Sequence, residues 1–253
     1  MVRVIMHGCN GAMGRVITDL AKDMDGVEIV AGIDLNSEIK QEYPVFSSLE
    51  ACDIEADVIV DFASAKAADH LLDYCGETQT PVVLCTTGLS EEQLKKVSET
   101  SKKTAVLRSA NMSLGINTLL KLLQDAAKVL ATAGFDVEII EKHHNQKVDA
   151  PSGTALALAD SVNDAMGGQY YYKYDRSTER AKRDQKEIGI SAIRGGTIVG
   201  EHDVIFAGKD EVVTFSHTAY SKAIFGKGAL EAASFLAGKE PGLYTMADVI
   251  NAK

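Results

Sequence analysis

Short β-branched runs and amphipathic stretches alternate through the first hundred residues. Apolar side chains crowd into Val2–His7, Glu28–Ile33, Asp57–Phe62, Pro81–Cys85 and Thr104–Leu107, all of strand length. Between them the spacing turns helical near Gly14–Lys22, Ala65–Tyr74 and Glu91–Ser101. Ser90, followed three residues later by Gln93, predicts a reciprocal capping box at the start of the last of these. Strand and helix in regular turn predict a parallel, doubly wound sheet.

After residue 112 the rhythm changes. Ser113–Ala133 reads as one long helix, stopped at Gly134, whose missing Cβ suits a left-handed terminus. Phe135–Glu141 alternates as a half-buried strand does, and Gly153–Met166 is helical up to Gly167-Gly168. The polar, tyrosine-rich stretch Gln169–Lys186 predicts a long loop or a partly helical excursion. Ile188–Arg194, Asp203–Ala207 and Val212–His217 follow as strands, with a tight turn at Gly208-Lys209-Asp210. This is the pattern of a sheet covered mainly on one face by helices. Lys222–Ala237 is helical again, and the apolar tail Leu243–Ile250 is expected to pack back on the first domain. That domain is then discontinuous, residues 1–112 plus 223–253, with 113–222 as the second.

Composition narrows the possibilities. Of 253 residues 45% are hydrophobic and 25% charged, as in ordinary globular proteins. A formal charge of −10 argues against a general affinity for nucleic acid or anionic membrane. No apolar run is long enough to span a bilayer, and Met1–Met6 enters a strand with no signal-peptide layout. Cys9, Cys52, Cys75 and Cys85 stand far apart, which predicts reduced thiols in a cytoplasm, without disulfides or a zinc cluster. His143-His144 lacks a histidine partner at helical spacing, so no metal site is expected. An anionic substrate must therefore be met by positive charge gathered locally.

Two segments carry chemistry. Gly8-Cys9-Asn10-Gly11-Ala12-Met13-Gly14 follows the first predicted strand and opens a helix. Such glycines permit a tight turn and close approach of backbone to a pyrophosphate, at the positive end of the helix. A glycine triplet alone is ordinary turn chemistry. Asp34, however, ends the second predicted strand, where a carboxylate can accept hydrogen bonds from ribose hydroxyls. That carboxylate also repels a 2′-phosphate, and Leu35 offers no counter-charge, so NADH is expected to be preferred, with NADPH possible. The Asp61–Ser64 and Cys85–Gly88 turns end the third and fourth predicted strands, where ligands of open α/β sheets bind.

The second segment is Glu141-Lys142-His143-His144-Asn145-Gln146-Lys147-Val148-Asp149-Ala150-Pro151-Ser152-Gly153-Thr154-Ala155. His143, His144 and Lys147 gather candidate cations in an acidic chain, and imidazoles exchange protons near neutrality. Ser152-Gly153-Thr154 adds leading amides and two hydroxyls able to hold a carboxylate. Either piece alone is a surface pair or a helix cap; together, beside a nucleotide fingerprint, they indicate a site. Arg194 reads equally as a contact or as an exposed sheet-end arginine.

This segment resembles the signature of the 4-hydroxy-tetrahydrodipicolinate reductase (dihydrodipicolinate reductase) family. The likeness extends to the glycine loop, Thr86-Thr87-Gly88, Ala110-Asn111-Met112-Ser113-x-Gly115-x-Asn117 and Arg194-Gly195-Gly196-x-x-Val199-Gly200-Glu201-His202. It includes Leu243-Tyr244-x-Met246-x-Asp248-Val249 near the end. The fold class it implies is α/β: a Rossmann-like doubly wound parallel sheet, with a second α+β domain built on a mixed sheet that forms homotetramers. It assigns acid–base chemistry to His143, proton donation to Lys147, and a dicarboxylate substrate to His144, Ser152, Gly153 and Thr154. The cofactor falls to Gly8, Cys9, Asn10, Gly11, Ala12, Met13, Asp34, Cys85, Thr86, Thr87, Ser109, Ala110, Asn111 and Met112. The sequence departs from the family at Cys85, often glycine, at Ala12, commonly basic, and at Met112, frequently phenylalanine.

The implied reaction is hydride transfer from NAD(P)H to ring C4 of dihydrodipicolinate, with protonation of the resulting enamine. The family substrate is the 4-hydroxy form, so loss of water accompanies or precedes reduction. Two rivals share the glycine loop: a dehydrogenase like those of aspartate or homoserine, and a non-catalytic NADH sensor. Neither needs the His-His-x-x-Lys and Pro-Ser-Gly-Thr combination.

Overall fold

The computed structural model describes residues 1–36, 39–109 and 111–252. The chain forms two compact units, one of Met1–Leu114 with Ala223–Lys253 and one of Gly115–Lys222. It opens with β1 (Val2–His7), α1 (Ala12–Lys22), β2 (Val27–Ile33), β3 (Val45–Phe46), β4 (Val58–Asp61), α2 (Ala65–Thr78), β5 (Val82–Leu84), α3 (Glu91–Thr100) and β6 (Ala105–Leu107). Next come α4 (Leu114–Leu130), β7 (Asp136–His143), α5 (Gly153–Ala165), β8 (Tyr171–Lys173), β9 (Glu187–Arg194), β10 (Gly200–Ala207) and β11 (Val212–Ala219). The chain closes with α6 (Ala223–Leu236), β12 (Gly242–Tyr244) and α7 (Met246–Asn251).

In the first unit all strands pair in parallel, in the order β12-β6-β5-β4-β1-β2-β3. Both faces of the sheet are covered, which is why its strands read as near-continuous apolar runs. Val4, Met6, Val58 and Val60 pack with Ile17 of α1 and Leu230 of α6 on one face. Ile5 and Ile59 meet Leu71 and Leu72 of α2 and Val97 of α3 on the other. The capping box predicted at Ser90 and Gln93 is present. Strand order turns at β1, whose neighbours are β2 and β4, so a topological switch point lies at the end of that strand.

The second unit holds a mixed sheet in the order β11-β10-β7-β9-β8. β10 is antiparallel to both β7 and β11, whereas β9 runs parallel to β7 and β8. Val137 and Ile139 of β7, with Val204 and Phe206 of β10, pack against Leu123 of α4 and Leu158 and Val162 of α5. The inward positions of β7 continue past the apolar pair to Glu141 and His143. One core thus grades into a polar end.

The stretch Gln169–Lys186 is mostly loop, one of the two alternatives read from the sequence. It contains a strand, β8, and no helix. Arg183 explains its order: the guanidinium donates to Asp136, Glu138 and the Val137 carbonyl, fastening the excursion to the start of β7. Long-range salt links of this kind leave no periodic trace in sequence.

Candidate active site

In the first unit, every described candidate for the cofactor follows the carboxyl end of a parallel strand: β1, β2, β5 or β6. Ala110 lies outside the described residues. At the end of β1, Gly8 adopts φ +81°, and a Cβ there would stand 2.8 Å from the Phe62 carbonyl oxygen. A Cβ on Gly14 would stand 2.2 Å from the Gly8 oxygen, so α1 abuts the strand as only glycine allows. Gly11 begins α1 without a side-chain cap, and the first turn holds no acidic residue. Its leading amides are thus suited to an anion. Asp34 accepts from the backbone N–H groups of Asn10 and Asn36, at 3.0 Å each, which fixes its carboxylate beside the loop.

Cys9 and Met112 are buried in the apolar core, so only their main chains are available to a ligand. Burial and the Asp34 charge push the Cys9 thiol up to about 11. Thr86 is also buried, and its hydroxyl has no partner among the described residues, whereas Thr87 is exposed. A pair that the sequence reading missed lies below the glycine loop. His7 Nδ1 is 2.7 Å from Asp61 Oδ1, both residues being buried, and Asp61 Oδ2 has no partner among the described residues.

In the second unit, the predicted catalytic segment runs from the end of β7 to the first turn of α5. Glu141 is fully buried at its centre. Oε1 accepts from the Ser152 amide at 2.9 Å and from one Arg194 nitrogen at 2.7 Å. Oε2 accepts from the other Arg194 nitrogen at 2.7 Å and lies 2.6 Å from His143 Nδ1. Burial pushes the Glu141 carboxyl up, but the hydrogen bonds from Arg194, His143 and Ser152 outweigh it and hold it below the usual carboxylate range. Arg194 is therefore neither an exposed arginine nor a free substrate contact. It also donates to the Asp149 carbonyl, tying the 144–149 loop to the sheet.

His143 is 9% exposed and meets the His202 ring edge-on, with centroids 5.1 Å apart. His202 in turn lies 3.1 Å from Ser152 Oγ through Nε2. Burial, with the neighbouring His143, drives the His202 imidazole down to about 4. Ser152 is buried, and its hydroxyl accepts from the Ala155 amide as the cap of α5. Its side chain is thus committed to the fold, unlike the reading that gave it to a carboxylate. Gly153 is exposed, with no atom within 4 Å of where a Cβ would stand. His144 and Thr154 are half-buried, and Lys147 Nζ pairs with Asp149 Oδ1 at 2.8 Å. The sequence pattern gives Glu141 and His202 no role; the inward alternation of β7 and β10 is the signal that could have placed them.

The family profile described as dihydrodipicolinate reductase, N-terminus, matches residues 2–112, and its C-terminus counterpart matches residues 115–250. A 4-hydroxy-tetrahydrodipicolinate reductase of Caldanaerobacter subterraneus subsp. tengcongensis is 54% identical over 250 residues, 99% of this chain and 98% of the relative. One from Clostridium tetani is 50% identical over 251 residues, again 99% and 98% of the two chains. Among solved structures, the dipicolinate-bound dihydrodipicolinate reductase of Paenisporosarcina sp. TG-14 superposes with a TM-score of 0.80 at 25% identity, covering 97% of each chain. The myo-inositol dehydrogenase of Lactobacillus casei, at TM-score 0.62 and 16% identity, covers 98% of this chain and 90% of its own, and shares the fold. The C-terminal match covers the part of the chain in which the dehydrogenase-like and sensor readings would differ. The chain belongs to the dihydrodipicolinate reductase family.

Proposed function

We propose that this oxidoreductase of diaminopimelate and lysine biosynthesis reduces 4-hydroxy-tetrahydrodipicolinate, by way of dihydrodipicolinate, to tetrahydrodipicolinate, with His143 and Lys147 supplying the proton. The observation that carries the reading is the imidazole of His143, held through Nδ1 by a buried carboxylate, in the same segment as Lys147 and the leading turn of α5. A group so held can exchange a proton at its other nitrogen. Lys147 adds a cation that stabilises charge developing on the ring nitrogen. His144, Gly153 and Thr154 receive the substrate carboxylates, and Ser152 holds the α5 terminus that presents the last two.

The first unit is the dinucleotide-binding domain in this reading. The cradle at Gly8 and Gly14, the uncapped start of α1 and the unpartnered Thr86 hydroxyl fit a nicotinamide dinucleotide. When bound, the nicotinamide supplies hydride to ring C4. Gly8, Cys9, Asn10, Gly11, Ala12 and Met13 hold the pyrophosphate, Asp34 the adenine ribose, and Cys85–Thr87 with Ser109–Met112 the nicotinamide half. NADH is preferred over NADPH because Asp34 is fixed where a 2′-phosphate would come.

The second unit binds substrate and joins subunits into a homotetramer that works in the cytoplasm. The face of its sheet away from α4 and α5 carries Ile140, Ile193 and Ile205 among Glu138, Lys142, Glu201 and Asp203. Ile193 is 47% exposed, a surface suited to a second copy. No helix is long and apolar enough to cross a membrane among the described residues.

The test is NADH oxidation with dihydrodipicolinate generated enzymatically in the cuvette. Turnover that depends on that substrate, and that pyridine-2,6-dicarboxylate inhibits, is expected. No turnover with it, or equal turnover with an aspartate- or homoserine-derived substrate, would overturn the assignment.

A further inference from the structure

We propose that Glu141 is the positioning residue of the acid–base centre, fixing His143 with its proton on Nδ1 so that Nε2 alone exchanges protons, while Arg194 fixes the plane of the carboxylate. The proposal rests on the catalytic role given to His143 above.

The geometry begins with the acceptor count. A carboxylate has about four lone-pair sites. Those of Glu141 are taken by four groups: the Ser152 amide, two Arg194 nitrogens and His143 Nδ1. The amide and the guanidinium can only donate, and these hydrogen bonds with that of His143 hold the carboxyl below its usual range, so it is ionised. A carboxylate can only accept, so His143 Nδ1 must carry the hydrogen it shares. The imidazole then cycles between cation and neutral ring at Nε2. A Cβ added to Gly200, the cross-strand neighbour, would stand 3.2 Å from that atom. Glycine there leaves room beside it.

Arg194 supplies the second half. Both carboxylate oxygens are shared with its guanidinium, 2.7 Å away on each side. Such a fork fixes the plane of the carboxylate, so that Oε2 stays aimed at His143 Nδ1. His202 on β10 lies 5.1 Å from His143 between ring centroids, and His217 and Lys147 act electrostatically on His202 in turn. His202 is neutral near pH 7, because burial has driven it down to about 4.

Glu141→Gln is a sharp probe because its amide cannot satisfy all four donors. The amide oxygen is drawn to Arg194, which leaves the NH2 group to face His143. It then donates to Nδ1 and forces the opposite tautomer. Full-length protein labelled with ¹⁵N-histidine reads this directly from the His143 ring shifts, without substrate or cofactor. The expected result is Nδ1–H in the wild type at neutral pH and Nε2–H in Glu141→Gln. In turnover, kcat falls about tenfold to a hundredfold, part of the roughly 10²–10⁴ that an acid–base group contributes. KM for NADH stays within about twofold.

Activity should also divide by charge. Arg194→Gln, which leaves the carboxylate in place, keeps the Nδ1–H tautomer that Glu141→Gln loses and retains more of kcat, a split that general loosening cannot produce. Glu141→Asp, shorter but still anionic, keeps the wild-type tautomer and recovers part of kcat, and it serves if the Gln variant folds poorly. An unchanged tautomer with near-normal kcat in Glu141→Gln, while His143→Ala is inactive, overturns the proposal alone. Near-normal turnover in His143→Ala overturns the catalytic role on which it rests, whatever the spectra show.

Discussion

Lys147 Nζ stands 2.8 Å from Asp149 Oδ1, two residues along the same loop. The hydrogen bond from this ammonium pulls the Asp149 carboxyl below its ordinary range. The proposed proton donor is therefore already paired, and a dianionic substrate must compete with a carboxylate for it. The pair is asymmetric, since the Lys147 side chain is 21% exposed and that of Asp149 is 54% exposed. Asp149→Asn removes the competitor and is expected to tighten binding of pyridine-2,6-dicarboxylate by about two- to fivefold, less at high salt. Calorimetry at two ionic strengths checks this. Weaker binding would mean that Asp149 aims the ammonium.

The proposed cofactor choice turns on Asp34. Hydrogen bonds from the Asn10 and Asn36 amides hold its carboxylate in place, so it cannot easily swing aside for a 2′-phosphate. Leu35 is 96% exposed and offers no charge to offset it. A like-charge approach costs several kcal/mol, so kcat/KM should favour NADH over NADPH by at least about tenfold. Asp34→Ala should narrow the ratio, and adding Leu35→Arg should reverse it. A wild-type preference for NADPH would refute the assignment.

What was legible in the sequence followed from local periodicity and local caps. The β1-to-α1 glycine loop, the Ser90 box and the alternation of β7 are short-range patterns, and they locate both segments of the candidate site. β3, of two residues, and β12, of three, are edge strands too short to show a period. The contacts that shape the site were hidden for a different reason. Glu141 with Arg194, His202 with Ser152, and His7 with Asp61 each join residues about fifty positions apart. No window along the chain contains both partners, so their chemistry appears only once strand register sets them side by side.

Two glycines separate fold from site. A Cβ on Gly14 would press 2.2 Å from the Gly8 oxygen and 2.6 Å from that of Cys9, both main-chain atoms that cannot rotate away. Gly14→Ala should therefore lift α1 from β1, costing about 1–3 kcal/mol of stability as overpacking does, and weaken NADH binding with it. Gly153, by contrast, has open space around it and starts a helix. Gly153→Ala should leave unfolding within about 0.5 kcal/mol of wild type, as benign surface changes do, yet raise KM for the dicarboxylate substrate several-fold. Denaturation curves beside steady-state kinetics distinguish the two, and an unchanged substrate KM in Gly153→Ala would remove that amide from the carboxylate site.

The buried imidazole of His202 also predicts how stability responds to acid. Its native pKa is driven from 6.5 down to about 4, chiefly by burial, and its Nδ1 has no partner among the described residues to stabilise a cation. The unfolded chain therefore binds this proton first as pH falls. The stabilisation due to a neutral His202 is complete above about pH 6.5 and is lost between there and about pH 4, amounting to about 3 kcal/mol. His217, also lowered by burial, acts in the same direction. Glu141 acts in a lower window, because its depressed carboxyl favours the native state until the pH falls below the ordinary carboxylate range. Urea unfolding from pH 7 to pH 4 should therefore show a steep decline in the wild type and a shallower one in His202→Gln, with the two converging in slope only in stronger acid. Parallel declines would mean that His202 takes up its proton in the native state as readily as in the unfolded chain.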